Sequence, residues 1–332
     1  MVRMVQAVRA HEHGGAEVLR SEAVEVDQPG PGEALVRHTA IGLNFIDTYH
    51  RSGLYEVPLP VTLGIEAAGV VEAIGDGVEK LEGGGIHVGD RVAYAGGPPG
   101  AYSEARLIPA DRLVVLPDDI GDEIAAAAML KGMTVQYLLR STHRVTAGET
   151  ILIHAAAGGV GLIACQWAHH LGARVIGTVG SPEKAELARA HGCDHPIVYT
   201  SEDFVARVHE LTGGRGVPVV YDSVGKSTWS GSLRCLEPRG LMVSFGNASG
   251  AVPPIRPVEL AAHGSLFLTR PTLMTYTATR PDLLACAGEL LEALASGAVR
   301  VEVRQTYPLA RAADAHRDLE ARRTSGSSVL LP

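Results

Sequence analysis

Residues 151 to 161 read Ile151-Leu152-Ile153-His154-Ala155-Ala156-Ala157-Gly158-Gly159-Val160-Gly161. Ala156-x-Gly158-x-x-Gly161 fits the dinucleotide fingerprint, with alanine in the first place. The chemistry such a segment supports is the binding of a pyrophosphate. A buried apolar strand delivers the chain to a tight turn, and Gly158, lacking a Cβ, lets phosphate approach the backbone. Gly161 lets the next helix pack close, and the N–H groups and positive dipole end of that helix face the anion. A carboxylate at the end of the second strand would bond a ribose 2′-hydroxyl. Here that strand, Arg174 to Val179, ends in Gly180-Ser181, and no carboxylate follows until Glu183. Lys184 comes next and can pair with a 2′-phosphate. The cofactor expected is NADPH.

No Cys or His residues are spaced as structural zinc ligands. Cys165, Cys193, Cys235 and Cys286 form no C-x-x-C pair and read as reduced, buried thiols. The 14 histidines include His11-x-His13 in a Gly-flanked turn and His169-His170 on a helix, where neighbours point apart. The histidines as a group read as solvated, with His154 a core residue beside the phosphate loop. No metal is expected.

The elements that must position these residues fall into three stretches. Residues 1–125 read as β-rich, with short strands at Val5–Ala10, Leu19–Val26, Glu33–Ile41, Gly69–Ile74 and Arg91–Ala95 separated by Gly/Pro turns. Residues 126–271 alternate strand and helix: strands at Thr150–His154, Arg174–Val179, Ile197–Tyr199, Val217–Tyr221, Leu241–Phe245 and Ser265–Thr269 imply a six-stranded, doubly wound parallel sheet. Residues 272–332 carry a helix near Pro281–Ser296, a strand at Val299–Tyr307, a helix near Ala310–Arg322 and a closing strand at Ser327–Leu331, which suggests a return to the first domain.

With 332 residues, 46% of them hydrophobic, the chain has material for two cores. Its formal charge of −8 and its lack of any Lys/Arg run beyond Arg322-Arg323 argue against nucleic acid as a partner. The N-terminal residues lack an apolar signal region, and no run of 18 apolar residues occurs. A cytoplasmic location is expected.

Several stretches, taken in order and spacing, resemble the medium-chain dehydrogenase/reductase superfamily, and within it the zinc-free NADPH:quinone oxidoreductases, the ζ-crystallin-like group. They are Gly42-Leu43-Asn44-Phe45-Ile46-Asp47-Thr48-Tyr49, Arg51-Ser52-Gly53-Leu54-Tyr55, Gly64-Ile65-Glu66-Ala67-Ala68-Gly69, Gly89-Asp90-Arg91-Val92, Lys131-Gly132-Met133-Thr134, Ala155 to Gly161, Tyr221-Asp222-Ser223-Val224-Gly225 and Ser244-Phe245-Gly246. The resemblance covers nearly the whole chain. It implies a GroES-like catalytic domain (1–125 and 272–332) split around an inserted Rossmann domain (126–271). It also implies a homodimer joined by Rossmann edge strands, with Ser265–Thr269 as a candidate edge. Zinc-containing relatives hold the metal at the positions that Asn44 and Ile65 occupy here, and neither side chain suits zinc.

By the same resemblance Asn44 and Thr134 stand near the nicotinamide, and Gly158, Gly159 and Val160 line the pyrophosphate. Gly180, Ser181, Lys184, Tyr199 and Arg322 surround the 2′-phosphate and adenosine, with Arg323 as a competitor for Arg322. Ser223, Phe245, Gly246 and Arg270 lie along the remaining cleft. The activity implied is NADPH-dependent reduction of a small quinone, an electrophile that needs positioning more than a Lewis acid. Asn44 would offer an amide N–H, and Tyr49 or Tyr55 a hydroxyl, to a quinone oxygen, while Asp47 serves as a hydrogen-bonding partner ahead of proton donor. The alternatives are reduction of the C=C bond of an enone or enoyl thioester and, further off, an NADPH-binding structural or RNA-binding protein without turnover. The physiological acceptor, one- against two-electron transfer, and dimer against tetramer stay open on sequence.

Overall fold

The structure is a computed structural model and describes residues 2–332. Two compact units divide the chain. The first comprises the chain up to Met133 with Thr277–Ala295 and Val301–Pro332; the second comprises Thr134–Tyr276 with Ser296–Arg300.

The first stretch runs β1 (Arg3–Ala10), β2 (Leu19–Val26), β3 (Glu33–Leu43), α1 (Phe45–Ser52), β4 (Val61–Thr62), β5 (Glu66–Ile74), β6 (Arg91–Ala95), β7 (Ala105–Pro109), β8 (Val114–Val115) and α2 (Asp122–Tyr137). The β-rich reading of this stretch needs two helices added. Helix α1 opens on Asn44, whose extended backbone and reciprocal capping box with Asp47 start the turn, and it closes on Gly53 in the left-handed conformation (φ 78°). Helix α2 carries the run Ala125-Ala126-Ala127-Ala128-Met129, every residue of it buried. A helix buried on all sides shows no 3.6-residue alternation by which to recognise it.

The second unit contains β9 (Thr150–Ile153), α3 (Gly159–His170), β10 (Arg174–Val179), α4 (Pro182–Ala190), β11 (His195–Val198), α5 (Phe204–Leu211), β12 (Val217–Asp222), α6 (Trp229–Cys235), β13 (Leu236–Ser244), α7 (Pro257–Ala262), β14 (Phe267–Thr269) and α8 (Leu273–Tyr276). Its six strands form one sheet in the order β11-β10-β9-β12-β13-β14, with every pairing parallel. This is the doubly wound arrangement in which ligands bind beyond the carboxyl ends of the strands, where the order reverses. That switch lies at β9, whose Ile151, Leu152 and Ile153 are all buried.

The chain then supplies α9 (Arg280–Ala295), β15 (Val303–Pro308), α10 (Ala312–Glu320) and β16 (Ser327–Leu331). Strand β16 pairs antiparallel with the end of β3, Ser328 opposite Leu43 and Leu330 opposite Ile41, and parallel with β15. The resulting sheet runs β15-β16-β3-β5-β6-β8, with β7 also on β3, while β2-β1-β4 forms a separate sheet. The C-terminal strand therefore anchors the end of β3, where Asn44 follows.

All four cysteines are free and buried. The histidines do not fit a single solvated class. His11, His13, His169 and His170 are exposed, whereas His38, His154 and His316 are buried. Each buried ring has hydrogen-bond partners for both nitrogens, which offsets the cost of removing it from water.

Candidate active site

In the second unit the turn after β9 is built without side chains. Ala155 adopts a left-handed backbone (φ 55°), Gly158 donates to its carbonyl at 2.9 Å, and Ala156 donates to Thr178 of β10 at 3.0 Å. Helix α3 begins at Gly159 with extended Gly158 as its cap, so the first-turn N–H groups have no intrahelical acceptors. A Cβ at Gly158 would meet only the Ala155 oxygen, at 3.2 Å, whereas one at Gly161 would lie 2.2 Å from that oxygen and 2.7 Å from the Ala156 backbone. Gly158 therefore leaves open room and Gly161 permits close packing. These residues, with half-buried Gly159 and Val160, fit a pyrophosphate.

At the ends of β10 and β11 the structure brings Gly180, Ser181, Lys184 and Tyr199 together. Ser181 caps α4, its Oγ accepting from the Lys184 N–H at 3.3 Å. The Tyr199 hydroxyl lies 3.1 Å from where a Gly180 Cβ would be, and the Tyr199 N–H donates to Val179. The Glu183 carboxyl is held below its ordinary range, chiefly by a hydrogen bond from the Ser181 side chain. A phenol, an amine and a serine cap thus stand where an acidic residue would select the unphosphorylated ribose, and they fit a 2′-phosphate.

Ser223, Phe245, Gly246 and Arg270 gather beyond β12, β13 and β14. Arg270 donates to the carbonyls of Ser244 (2.9 Å) and Gly246 (3.3 Å), and Phe245 donates to Asp222. Beneath them Asp222, fully buried, accepts from Val224 N–H (2.8 Å), Gly225 N–H (2.9 Å), Thr228 and Ser232. Ser232 also meets His154 Nε2 at 2.9 Å. This network fixes the Ser223–Gly225 turn.

The first unit holds the other candidates. Asn44 is 6% exposed, and its Nδ2 donates to Glu66 Oε2 at 2.7 Å. Glu66, completely buried, also accepts from Leu130 N–H at 2.6 Å and pairs with Lys131 at 3.4 Å. Tyr49 and Tyr55 are half-buried and packed edge to face, their ring centroids 5.2 Å apart. Asp47 is fully buried. Its Oδ2 accepts from Asn44 N–H (2.9 Å) and Tyr102 Oη (3.0 Å), while Oδ1 has no partner. Burial drives its carboxyl up to about 7, against the lowering effect of the Asn44 and Tyr102 bonds. Tyr102 meets His316 Nε2 at 3.0 Å. Arg51 donates to His316 Nδ1 at 3.0 Å and pairs with Glu320 at 2.6 Å. Burial depresses His316 to about 3. The guanidinium thus sets the tautomer: Nε2–H donates to Tyr102, which donates to Asp47.

Thr134 is half-buried on α2, in the second unit. Arg322 lies in the first, exposed, just after α10, with a left-handed backbone (φ 58°), while Arg323 is engaged with Asp318 at 2.8 Å. Among the described residues no cluster of three or more His, Cys, Asp or Glu side chains could hold a metal ion. Glu66, Lys131, Tyr102 and His316 received no role from sequence. Glu66 and Lys131 stand inside two of the recognised stretches, but their pairing spans 65 positions, which no local pattern reports.

A parallel sheet with a glycine turn after its central strand, and a β-rich unit assembled from both ends of the chain, define a two-unit dinucleotide-binding oxidoreductase. Residues 30–118 match the alcohol dehydrogenase GroES-like domain, and residues 159–292 match the zinc-binding dehydrogenase model. The chain is 56% identical over 330 residues to a Pseudomonas aeruginosa protein named quinone oxidoreductase, covering 99% of this chain and all of that one. It superposes with a TM-score of 0.96 on the crystal structure of Escherichia coli quinone oxidoreductase complexed with NADPH, at 51% identity, covering 98% of this chain and all of that one. A 2-haloacrylate reductase from a Burkholderia species is 49% identical, covering 99% of both chains. The chain belongs to the quinone oxidoreductase family of the medium-chain dehydrogenase/reductase superfamily.

Proposed function

We propose that this protein is an NADPH-dependent reductase of small quinones. The observation that carries the reading is the full-length likeness to the E. coli quinone oxidoreductase complexed with NADPH. The phosphate turn and the Gly180, Ser181, Lys184 and Tyr199 group support the same cofactor on independent physical grounds. When bound, NADPH supplies two electrons and one hydrogen to the acceptor; the second hydrogen of a hydroquinone is a proton.

In this reading Gly158, Gly159 and Val160 bind the pyrophosphate. Gly180, Ser181, Lys184 and Tyr199, with Arg322, bind the phosphorylated adenosine. Ser223, Phe245, Gly246, Arg270 and Thr134 hold the remainder of the cofactor. Asn44 donates an N–H to an acceptor oxygen, Tyr49 and Tyr55 flank the acceptor, and Asp47 acts from beneath by capping α1. The unit of Thr134–Tyr276 with Ser296–Arg300 is the cofactor domain, and the other unit the catalytic domain. The protein works in the cytoplasm as a homodimer joined along β14, whose Phe267 is 63% exposed on an unpaired sheet edge.

A second reading, reduction of an electron-poor C=C bond, is favoured by the 2-haloacrylate reductase relative. Oxidation of NADPH at 340 nm with 1,4-naphthoquinone, phenanthrenequinone, 2-chloroacrylate and an enone separates the two. Turnover of quinones with NADPH, and far less with NADH, is expected. Absence of quinone turnover overturns the proposal, and turnover of 2-chloroacrylate alone replaces it with the second reading.

A further inference from the structure

Three elements of the first unit bring one amide, one carboxylate and one ammonium together: Asn44 after β3, Glu66 at the start of β5 and Lys131 on α2. The space is made for the carboxylate. A Cβ at Gly42 would lie 2.1 Å from Glu66 Oε2 and 2.3 Å from the Ala126 carbonyl, so any other residue there would displace the acid. Glu66 is 0% exposed and Asn44 and Lys131 are each 6% exposed.

A primary amide has two N–H donors and one carbonyl acceptor. In Asn44 one N–H is bonded to Glu66, and the side chain closes the capping box on the side of the Asp47 backbone N–H, whose hydrogen bond goes to the Asn44 backbone carbonyl at 3.1 Å. Rotating the amide by 180° would set its oxygen against the carboxylate and its NH2 against an N–H, so the orientation is fixed by chemistry. One N–H is left over. Lys131 balances the charge of Glu66, because a buried carboxylate left without a cation is strongly destabilising.

We propose that Glu66 and Lys131 are positioning residues for the reduction: they hold the Asn44 amide so that its second N–H faces the acceptor oxygen on which negative charge develops. The inference rests on the reductase reading above. A donor fixed before reaction contributes more than one that must first turn, and loss of such a donor typically costs about a hundredfold or more in rate.

The test compares wild type, Glu66→Gln, Lys131→Met, the Glu66→Gln/Lys131→Met pair, Asn44→Ala, and the triple combination. Melting temperature, NADPH affinity and kcat/KM for 1,4-naphthoquinone are measured for each. Each single charge removal is expected to lower the melting temperature, and the neutral pair to recover it, since no buried charge is then unpaired. The pair should bind NADPH within twofold of wild type yet lose at least about tenfold in kcat/KM. In the Asn44→Ala background the same two changes should alter kcat/KM by less than twofold, because they act through the missing amide. A merely structural role would give wild-type rates once stability is regained, or losses that multiply in that background; either result overturns the inference. A wild type inactive with every acceptor removes the reductase reading and the inference with it. Should the pair fail to fold, the wild type loaded with NADP+ carries the test by NMR. One Asn44 side-chain proton should sit downfield and ignore added naphthoquinone while the other moves. Movement of both, or of neither, overturns the inference.

Discussion

On the proposed reading, Lys184 and Tyr199 select the phosphorylated cofactor. A 2′-phosphate presents charge and three acceptor oxygens, and a hydrogen bond to a charged group contributes about 1.5–3 kcal/mol. Lys184→Ala should therefore weaken NADPH binding by about tenfold or more while leaving NADH binding within twofold, measured by fluorescence titration with each dinucleotide. The two phosphate-turn glycines should separate binding from folding. Gly158→Ala meets a single oxygen at 3.2 Å, so the protein should keep its melting temperature within a few degrees and lose NADPH affinity. Gly161→Ala drives a methyl into backbone at 2.2 Å and should cost about 1–3 kcal/mol in urea unfolding. The turn these glycines make was legible in the sequence because a bare spacing of three marks it. Glu66 and Lys131 were not, because a buried charge pair is a property of three elements meeting, and the intervening 64 residues carry no trace of it.

At the level of elements, α1 and α10 are joined by the chain Arg51, His316, Tyr102 and Asp47, and its two titrating members oppose each other. Asp47 rises from 3.8 to about 7 on folding, so between these values the folded state holds a proton that the unfolded state has released. Its contribution is fully present below about pH 4 and is lost as pH rises through 7. His316 falls from 6.5 to about 3, so the unfolded state takes up the proton first, and its contribution is present above 6.5 and lost as pH falls. Each corresponds to stability on the order of 4 kcal/mol, and between pH 4 and 6.5 the two slopes cancel. Asp47→Asn should then expose the loss on acidification, and His316→Gln the loss on alkalinisation, in urea midpoints taken from pH 4 to 8. Parallel curves for wild type and both variants would refute the opposition. His38, lowered by burial to about 4, adds to the His316 slope in all three proteins. The strands of the second unit were readable because β-branched runs between glycines mark buried parallel strands. Helix α2 hid because its run Ala125–Met129 is buried all round and so lacks the alternation of a half-buried helix, and two-residue strands such as β4 and β8 exist only through the partners they pair with.

For the molecule as a whole, the order of the chain decides what its ends can do. The sheet of the first unit is completed only when β16, the last strand of the sequence, pairs with β3, so the residues before Asn44 gain their neighbour after the entire second unit has been made. The second unit, by contrast, is one continuous run apart from Ser296–Arg300, and it leaves β14 with a partner on one side only. Natural sheet edges are usually blunted by charge, proline or a cover, yet Phe267 on this edge is 63% exposed and Val258 of the preceding helix is 62% exposed. A two-fold axis along the edge would bury Phe267 twice, once from each copy. At about 1.5–3 kcal/mol for a phenylalanine taken out of water, replacing both with a charge removes about 3–6 kcal/mol, or two to four powers of ten in the dimer constant. Light scattering should accordingly give the wild type twice the chain mass of 34.8 kDa, and Phe267→Lys a mass near that of one chain at micromolar concentration. Phe267 is not among the residues assigned to the cofactor, so kcat should hold within a few-fold if each copy works alone. A Phe267→Lys protein that stays dimeric would move the interface off β14, and a monomeric wild type would remove the homodimer altogether.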